Sequence, residues 1–227
     1  MGDRIRVLTA NLWNGGADPA GLAELVEAWA VDVACAQELG PDQAEALARV
    51  LPHGLLEPAR DHSGMGIALR RPGALRRVEL PGRDARVAEL DPSHWPGLGE
   101  SLEVISVHIL GPHLLRRWRQ RRGQLHALEC YLDRAPPRPR LLVGDLNATP
   151  LWPLYRRLAR RLRDAPADVA RRRGARPQRT WGPTPRSPRL LRIDHALAEG
   201  VHVEDARVVP LPGSDHSALV VDLGPAG

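Results

Sequence analysis

A short motif in the second half of the chain places a carboxylate and an amide where they suit phosphoryl chemistry. Residues 141–143 are apolar and predict a short buried strand, which Gly144 ends. Asp145 and Asn147 follow one residue apart, so in extended backbone their side chains would share a face. The carboxylate could hold a metal or accept a proton from water, and the amide could orient that water. A plain turn is the alternative, because both residue types are common in turns.

Other polar residues of useful chemical type occur at the ends of predicted strands. Each has an ordinary structural alternative when it is taken alone, such as a surface glutamate, a structural histidine or a turn aspartate. These residues are Asn11, Glu38, His108, Asp194, Asp215 and His216.

The remaining pattern predicts strands that alternate with helices rather than a helical bundle. The predicted strands are 5–12, 31–36, 67–69, 75–80, 86–90, 102–109, 141–143, 190–197, 201–209 and 218–223. The predicted helices are 19–29, 41–51, 112–133 and 150–163, and the Pro-, Arg- and Gly-rich stretch 165–187 is predicted to be a long loop.

The composition is compatible with a globular protein that binds an anionic partner. The net charge is +5, and all 32 basic residues are arginine because the chain has no lysine. Biased coding explains part of this excess, although arginine also binds phosphate well. For the arginines of helix 112–133, a solvated helix face is favoured over a nucleic-acid patch.

Length and hydropathy favour a single domain over residues 1–227, with 43% hydrophobic residues and no internal repeat. No signal-peptide core or membrane-spanning apolar run is present, so the expected location is cytoplasmic. The expected state is a monomer. Cys35 and Cys130 lie in apolar surroundings and are predicted to be buried free thiols.

The polar motifs, taken in order, resemble the endonuclease/exonuclease/phosphatase superfamily, which includes deoxyribonuclease I, exonuclease III-type repair endonucleases and neutral sphingomyelinases. The resemblance extends from residue 5 to residue 223, and six motifs in the family's order are far more specific than any one. The matching motifs are Thr9-Ala10-Asn11-Leu12-Trp13, Gln37-Glu38, Ser106-Val107-His108, Gly144-Asp145-Leu146-Asn147, Arg192-Ile193-Asp194-His195 and Ser214-Asp215-His216.

The resemblance implies an α/β fold of four layers, an α/β/β/α sandwich with two packed sheets between outer helices. It also implies a metal site in which Glu38 binds Mg²⁺ or Mn²⁺, as one or two ions, with Asn11 and Asp215 nearby. Oxygen ligands of this kind suit these hard cations better than zinc.

The resemblance further implies catalytic and substrate-binding roles. Asp145 and Asn147 would orient or activate the attacking water. His216, held by Asp194, would act as a general base or hold the scissile phosphate, and the sequence leaves both roles open. His108 would donate to a non-bridging oxygen, so the residues implied to contact substrate are Asn11, His108 and Asn147.

The expected reaction is hydrolysis of a phosphodiester, with DNA or RNA as the leading substrate. Repair endonucleases of the superfamily usually carry tyrosine at the position of His108, and the stretch 180–185 also departs from their pattern. A phospholipid or small phosphate ester is therefore the alternative substrate. A catalytically silent binding module of the same fold is a second alternative.

Overall fold

The computed structural model describes residues 4–112, 115–136 and 138–224 and contains two six-stranded sheets. The first has the order β11-β12-β1-β2-β4-β3 and is made of β1 (Ile5–Asn11), β2 (Val33–Gln37), β3 (His53–Glu57), β4 (Met65–Leu69), β11 (Val203–Val209) and β12 (Ala218–Leu223). The second has the order β5-β6-β7-β8-β10-β9 and is made of β5 (Ala74–Val78), β6 (Ala85–Leu90), β7 (Leu102–His108), β8 (Arg140–Asp145), β9 (Arg163–Asp164) and β10 (Asp194–Glu199).

In the described part of the chain, five helices accompany the sheets: α1 (Pro19–Ala28), α2 (Pro41–Val50), α3 (Leu115–Arg134), α4 (Pro153–Leu158) and α5 (Ala165–Arg172). One apolar cluster lies between the sheets, a second lies between the first sheet and α1 and α2, and a third lies between the second sheet and α3 and α4. The helices therefore cover both outer faces, which confirms the predicted four-layer sandwich.

Two parallel strand pairs set the direction of the edge that carries the polar motifs. β1 pairs with β2 in parallel, with α1 between them in the chain, and β7 pairs with β8 in parallel, with α3 between them. Parallel neighbours need such crossovers, and their carboxyl ends finish at the same edge of the sheet. The strand ends that carry Asn11 and Glu38, and those that carry His108 and Asp145, are positioned in this way.

The region after Asp145 differs most from the prediction. The predicted helix 150–163 shortens to α4, because a residue before proline disfavours helical backbone and Pro153 therefore opens the helix. The predicted loop 165–187 begins with helix α5, which Asp164 caps by accepting from the backbone N–H of Ala167. The predicted strand 190–197 begins only at Asp194.

Smaller differences concern burial and two missed strands. β3 and β9 were not predicted, and Cys35 is buried as expected whereas Cys130 is only partly buried. Arg121 is buried rather than on a solvated helix face, while Arg119 and Arg122 are exposed. The predicted helix start at 112–114 lies partly outside the described residues. No helix among the described residues is long and apolar enough to cross a membrane.

Gly144 lets strand β8 run against β7 directly before the polar edge. Its φ of +136° is a conformation that other residues rarely adopt, and a Cβ atom there would lie 1.9 Å from the Val107 carbonyl oxygen. This contact is with backbone of the neighbouring strand, so no side-chain rotation can relieve it. Glycine at this position therefore allows His108 and Asp145 to lie side by side.

We expect Gly144→Ala to lower the free energy of unfolding by at least about 3 kcal/mol, because it adds a backbone clash to a strained φ. Gly174→Ala is the matched control, since Gly174 also has a positive φ (+64°) but no atom within 4 Å of the added Cβ. That control should cost only about 1 kcal/mol. Urea unfolding of both variants measures the difference, and equal losses would show that the strand contact is not restrictive.

Candidate active site

The polar strand ends meet at one edge of the two-sheet core. Asp145 stands opposite His108 in the parallel ladder and opposite Asp194 in the antiparallel ladder. Asn11 ends β1 in the other sheet, and its Nδ2 donates to Asp145 Oδ2 at 3.1 Å. This hydrogen bond joins the two sheets and places residues that are 134 positions apart in direct contact.

An open cavity of about 340 Å³ lies above this edge. Seven of the eight predicted site residues line it, namely Asn11, Glu38, His108, Asp145, Asn147, Asp215 and His216. The eighth, Asp194, contacts His216 without lining the cavity. The structure thus brings all eight predicted residues into one site.

Asp145 and Asn147 face each other, but for a different reason than extended backbone. Asn147 has a φ of +46°, so the chain turns sharply after β8. Its backbone N–H donates to Asp145 Oδ1 at 2.7 Å, and its Nδ2 donates to Asp145 Oδ2 at 3.0 Å and to the Ile109 carbonyl at 2.9 Å. The motif is therefore a turn and a site at the same time, because the turn hydrogen bonds fix the carboxylate.

Asp194 and His216 form a buried pair. His216 Nδ1 lies 2.8 Å from Asp194 Oδ2, which is the contact that the resemblance implies. The hydroxyl of Thr180 accepts hydrogen bonds from the backbone N–H groups of Ile193 and Asp194, both at 3.2 Å. The hydroxyl of Ser214 accepts from the backbone N–H of His216 at 3.0 Å. Hydrogen bonds from the backbone N–H groups of Asp194 and His216 therefore fix the positions of both residues.

Burial and neighbouring charges give the titratable groups different protonation states. Burial alone would lower the pKa of His216, but the charge and hydrogen bond of Asp194, together with the charges of Asp145 and Asp215, raise it to about 9. Burial opposes ionisation of Asp194, yet its contact with His216 lowers its pKa. The pair is therefore an imidazolium bonded to a carboxylate near neutral pH.

The pKa values of Asp145 and His108 shift in the directions opposite to those of Asp194 and His216. Burial, and then the charge of Asp194, raise the pKa of Asp145 to about 7, although His216 opposes this. Burial, and then the positive charge of Arg83 and His216, lower the pKa of His108 well below its ordinary value. A carboxyl group that exchanges its proton near neutral pH thus lies beside a neutral imidazole.

Two groups of side chains have the chemistry to hold a divalent cation. Asp145, Asp194 and His216 offer ligand atoms that all lie within 4.8 Å of one another. His216 Nδ1, however, already bonds Asp194. The other group is Glu38 and Asp215, which both line the cavity. Asp215 Oδ1 is buried and has no hydrogen-bond partner among the described residues, so a hard cation fits that oxygen.

The two carboxylates of the second group are held by neighbours. Glu38 Oε2 accepts from the backbone N–H of Asn14 at 2.8 Å and lies 2.7 Å from His62 Nδ1. Asp215 Oδ2 accepts from the indole N–H of Trp181 at 2.9 Å. Each carboxylate therefore keeps one oxygen outside these bonds, Glu38 Oε1 and Asp215 Oδ1.

Three supporting residues were not assigned to the site from the sequence. His62 lies between β3 and β4, and its partner Glu38 directly follows β2, a pairing that the sequence does not reveal. Trp181 and Arg189 lie in the irregular region before β10. Arg189 donates to the Ser217 hydroxyl and to the Ser214 and His216 carbonyls, at 2.9 to 3.1 Å, and so fixes the turn that carries Asp215 and His216.

Solved structures share this fold at low sequence identity. D. rerio TDP2 in complex with a single-strand DNA product matches 98% of this chain over 100% of its own length, with TM-score 0.75 and 16% identity. The human Nocturnin catalytic domain with bound sulfate matches 99% of this chain over 95% of its own length, with TM-score 0.68 and 18% identity. An endonuclease/exonuclease/phosphatase from Beutenbergia cavernae matches 100% of this chain over 72% of its own length, with TM-score 0.69 and 22% identity.

A search of curated proteins finds no match to the chain. The model of the Endonuclease/Exonuclease/phosphatase family, in contrast, matches residues 8–216. The matched segment contains all eight site residues and runs through both sheets. The chain belongs to the endonuclease/exonuclease/phosphatase family.

Proposed function

We propose that the protein is a divalent-metal-dependent phosphoesterase that hydrolyses a phosphodiester bond, with nucleic acid as the leading substrate. Members of the family are typically hydrolases that act on phosphate esters. The observation that carries the proposal is the arrangement at the cavity, where Asp145 receives two amide donors beside the Asp194–His216 pair. The silent-module alternative is disfavoured because this arrangement is complete.

Asp145 is proposed to accept the proton of the attacking water. A general base works best when its pKa lies near the working pH, and the pKa of Asp145 is raised to about 7. The amides of Asn11 and Asn147 both donate to Asp145 Oδ2, which fixes the direction of the carboxylate. Both side chains line the cavity and are proposed to contact the substrate as well.

His216 is proposed to hold the scissile phosphate rather than to act as the base. With a pKa raised to about 9, its ring is charged at neutral pH and has no lone pair for a proton. Nδ1 is directed at Asp194, and the ring lines the cavity, so Nε2 is the atom proposed to donate to a phosphate oxygen. Asp194 is then a positioning residue that fixes the ring and its charge.

His108 is proposed to donate a neutral hydrogen bond to another phosphate oxygen. Its Nε2 lies 3.5 Å from both Asp145 Oδ2 and Asn147 Nδ2, at the wall of the cavity. Because its pKa is well below its ordinary value, the ring stays neutral and does not compete with His216 as a cation. Charge that develops on the phosphate would then meet donors on two sides.

The metal is proposed to be Mg²⁺ or Mn²⁺, bound by Glu38 and Asp215 with Asn11 nearby. The support is their oxygen chemistry, their position on the cavity and the buried Asp215 Oδ1, which accepts no hydrogen bond from the described residues. A bound dication would supply charge that stabilises the phosphate and lowers the pKa of water. The buried group Asp145, Asp194 and His216 is the alternative ligand set, as one ion or a second one.

Nucleic acid is favoured as substrate by the net charge of +5. The D. rerio TDP2 structure, which shares the fold, contains a single-strand DNA product. A phospholipid or small phosphate ester is the alternative. Salt separates these classes, because phosphate contacts of a nucleic acid release counterions and turnover at low substrate falls steeply with salt.

The first expected result is strict metal dependence across a panel of single-stranded DNA, duplex DNA, RNA, sphingomyelin and bis-p-nitrophenyl phosphate. Excess chelator should abolish turnover, and Mg²⁺ or Mn²⁺ should restore it. Glu38→Gln should raise the Mg²⁺ concentration for half-maximal activity at least about tenfold, because it removes a carboxylate from the proposed ligand set. Glu24→Gln, on the exposed face of α1, is the control and should change nothing.

Full activity of the metal-stripped enzyme in chelator would contradict the proposed metal dependence. Turnover of a lipid or small ester alone, insensitive to salt, would contradict nucleic acid as the substrate.

The second expected result concerns the Asp194–His216 pair. His216→Ala should lower kcat by about 10²- to 10⁴-fold at saturating metal, and Asp194→Asn should lose a large part of that. The double variant should be little worse than His216→Ala, because the two residues act as a unit. His126→Ala, an exposed histidine of α3, is the control, and circular dichroism checks folding.

The pH profile distinguishes positioning from a structural role. The rate of the wild type should fall above about pH 9, where His216 loses its proton. Asp194→Asn removes the carboxylate that raises this pKa, so the alkaline limb should move to lower pH. Losses that multiply in the double variant, with no shift of the limb, would show that the two residues are not a functional pair.

A further inference from the structure

Five large hydrophobic side chains of the described residues are exposed: Trp13, Trp118, Leu151, Leu190 and Leu191. Trp13 and Leu191 line the cavity directly, and Trp118 stacks on Trp152, which also lines it. Scattered exposed hydrophobic residues are ordinary, but a cluster at one opening indicates a binding surface.

Trp118 and Trp152 form the flat part of this surface. Their ring centroids are 6.3 Å apart and their planes differ by 19°, so the rings are stacked. Trp118 is 46% exposed, although it lies on a helix that has an apolar face to bury it. The Trp118 side chain is therefore partly accessible to solvent next to a ring that lines the cavity.

The guanidinium of Arg121 lies near both rings. Its guanidinium carbon lies 5.9 Å from the Trp118 ring centroid and 5.7 Å from that of Trp152, and the side chain is buried. The guanidinium also donates to the carbonyl of Leu110 and, at 3.2 Å, to that of Asn147. The tryptophan pair is thus rigidly connected to the segments that follow His108 and Asp145.

We propose that the Trp118–Trp152 pair is a stacking platform for an unpaired nucleobase of the substrate, beside the phosphate held by the cavity. The inference rests on the proposed function and deepens it by naming the form of nucleic acid. Any base has a π-face that can stack on an aromatic ring, whatever its sequence. Exposed Arg119 and Arg122 on the same helix supply positive charge for the flanking phosphates.

The geometry favours a base over a lipid acyl chain. An interfacial membrane contact relies on side chains that can enter the acyl region. Here the two rings are stacked on each other and fixed by a buried guanidinium that is bonded to the active-site backbone. A rigid flat face next to a phosphate site matches a nucleotide, in which a planar base and a phosphate are joined by one sugar.

Single-stranded or frayed substrate should therefore be preferred over intact duplex. In a duplex the faces of the bases are covered by their neighbours, so stacking on a protein ring requires unstacking first. A single strand presents these faces without that cost.

The test is a cycle that deletes the ring and the base separately. The probes are single-stranded DNA octamers of one sequence, each with an abasic spacer at a different position, and the matching duplex. The variants are Trp118→Leu, which removes the ring, and Trp118→Phe, which keeps an aromatic face. Trp29→Leu is the control, since Trp29 also has arginines near its ring, Arg6 and Arg207, but does not line the cavity. The readout is kcat/KM, with circular dichroism for folding.

For wild type, one spacer position should lower kcat/KM at least about fivefold, which corresponds to the loss of one base–aromatic stack. Trp118→Leu should show a similar loss on the intact octamer and no further loss with that spacer, because the ring and base are one contact. Trp118→Phe should recover most activity. The preference for octamer over duplex should shrink in Trp118→Leu and stay unchanged in Trp29→Leu.

Cleavage of the octamer that is unaffected by Trp118→Leu would overturn the platform while leaving the proposed function standing. Independent losses from ring and spacer would overturn it in the same way. No cleavage of any nucleic acid by wild type would overturn both. A separate experiment measures sedimentation of the protein with vesicles of phosphatidylcholine and phosphatidylglycerol. Vesicle binding that Trp118→Leu abolishes, together with unchanged octamer cleavage, would assign the surface to lipid instead.

Discussion

The carboxylate of Asp145 is buried where the two sheets meet, and the surrounding structure compensates it there. A buried charge is costly unless hydrogen bonds or opposite charges offset it. Asn11 donates to it from the first sheet, Asn147 donates from its own turn, and the charge of His216 lies close by. These interactions offset the cost of the buried charge only in part, since the pKa of Asp145 still rises to about 7. Asp145 is therefore a carboxyl group suited to proton transfer.

The same burial gives the neighbouring groups distinct tasks. Asp194 pairs with His216 and keeps it charged, whereas burial keeps His108 neutral although Asp145 Oδ2 lies 3.5 Å from its Nε2. One cavity thus combines a candidate base, a fixed cation and a neutral donor within a few ångströms. In this account the backbone turns are part of the chemistry. The αL turn at Asn147 and the glycine at 144 hold these side chains at their positions.

The sequence predicted the four-layer fold, and motifs in a recognisable order named eight residues that the structure brings together at one edge. It could not predict which face the arginines of α3 occupy, so the burial of Arg121 beneath Trp118 was missed. Helix α5 was missed although Asp164 and Pro166 mark its start, because arginine, glycine and proline dominate the stretch. The partnership of Trp181 with Asp215 and of His62 with Glu38 depends on long-range packing that no local spacing reveals.

Glu38 and Asp215 are proposed to hold the metal while Asp194 and His216 stay paired for the phosphate. Anomalous diffraction from crystals soaked with Mn²⁺ tests this division of roles. We expect a manganese peak in the cavity within coordination distance of the Glu38 and Asp215 carboxylates, with the His216–Asp194 hydrogen bond intact. A peak among Asp145, Asp194 and His216 with that bond broken, or no peak in the cavity, would contradict it.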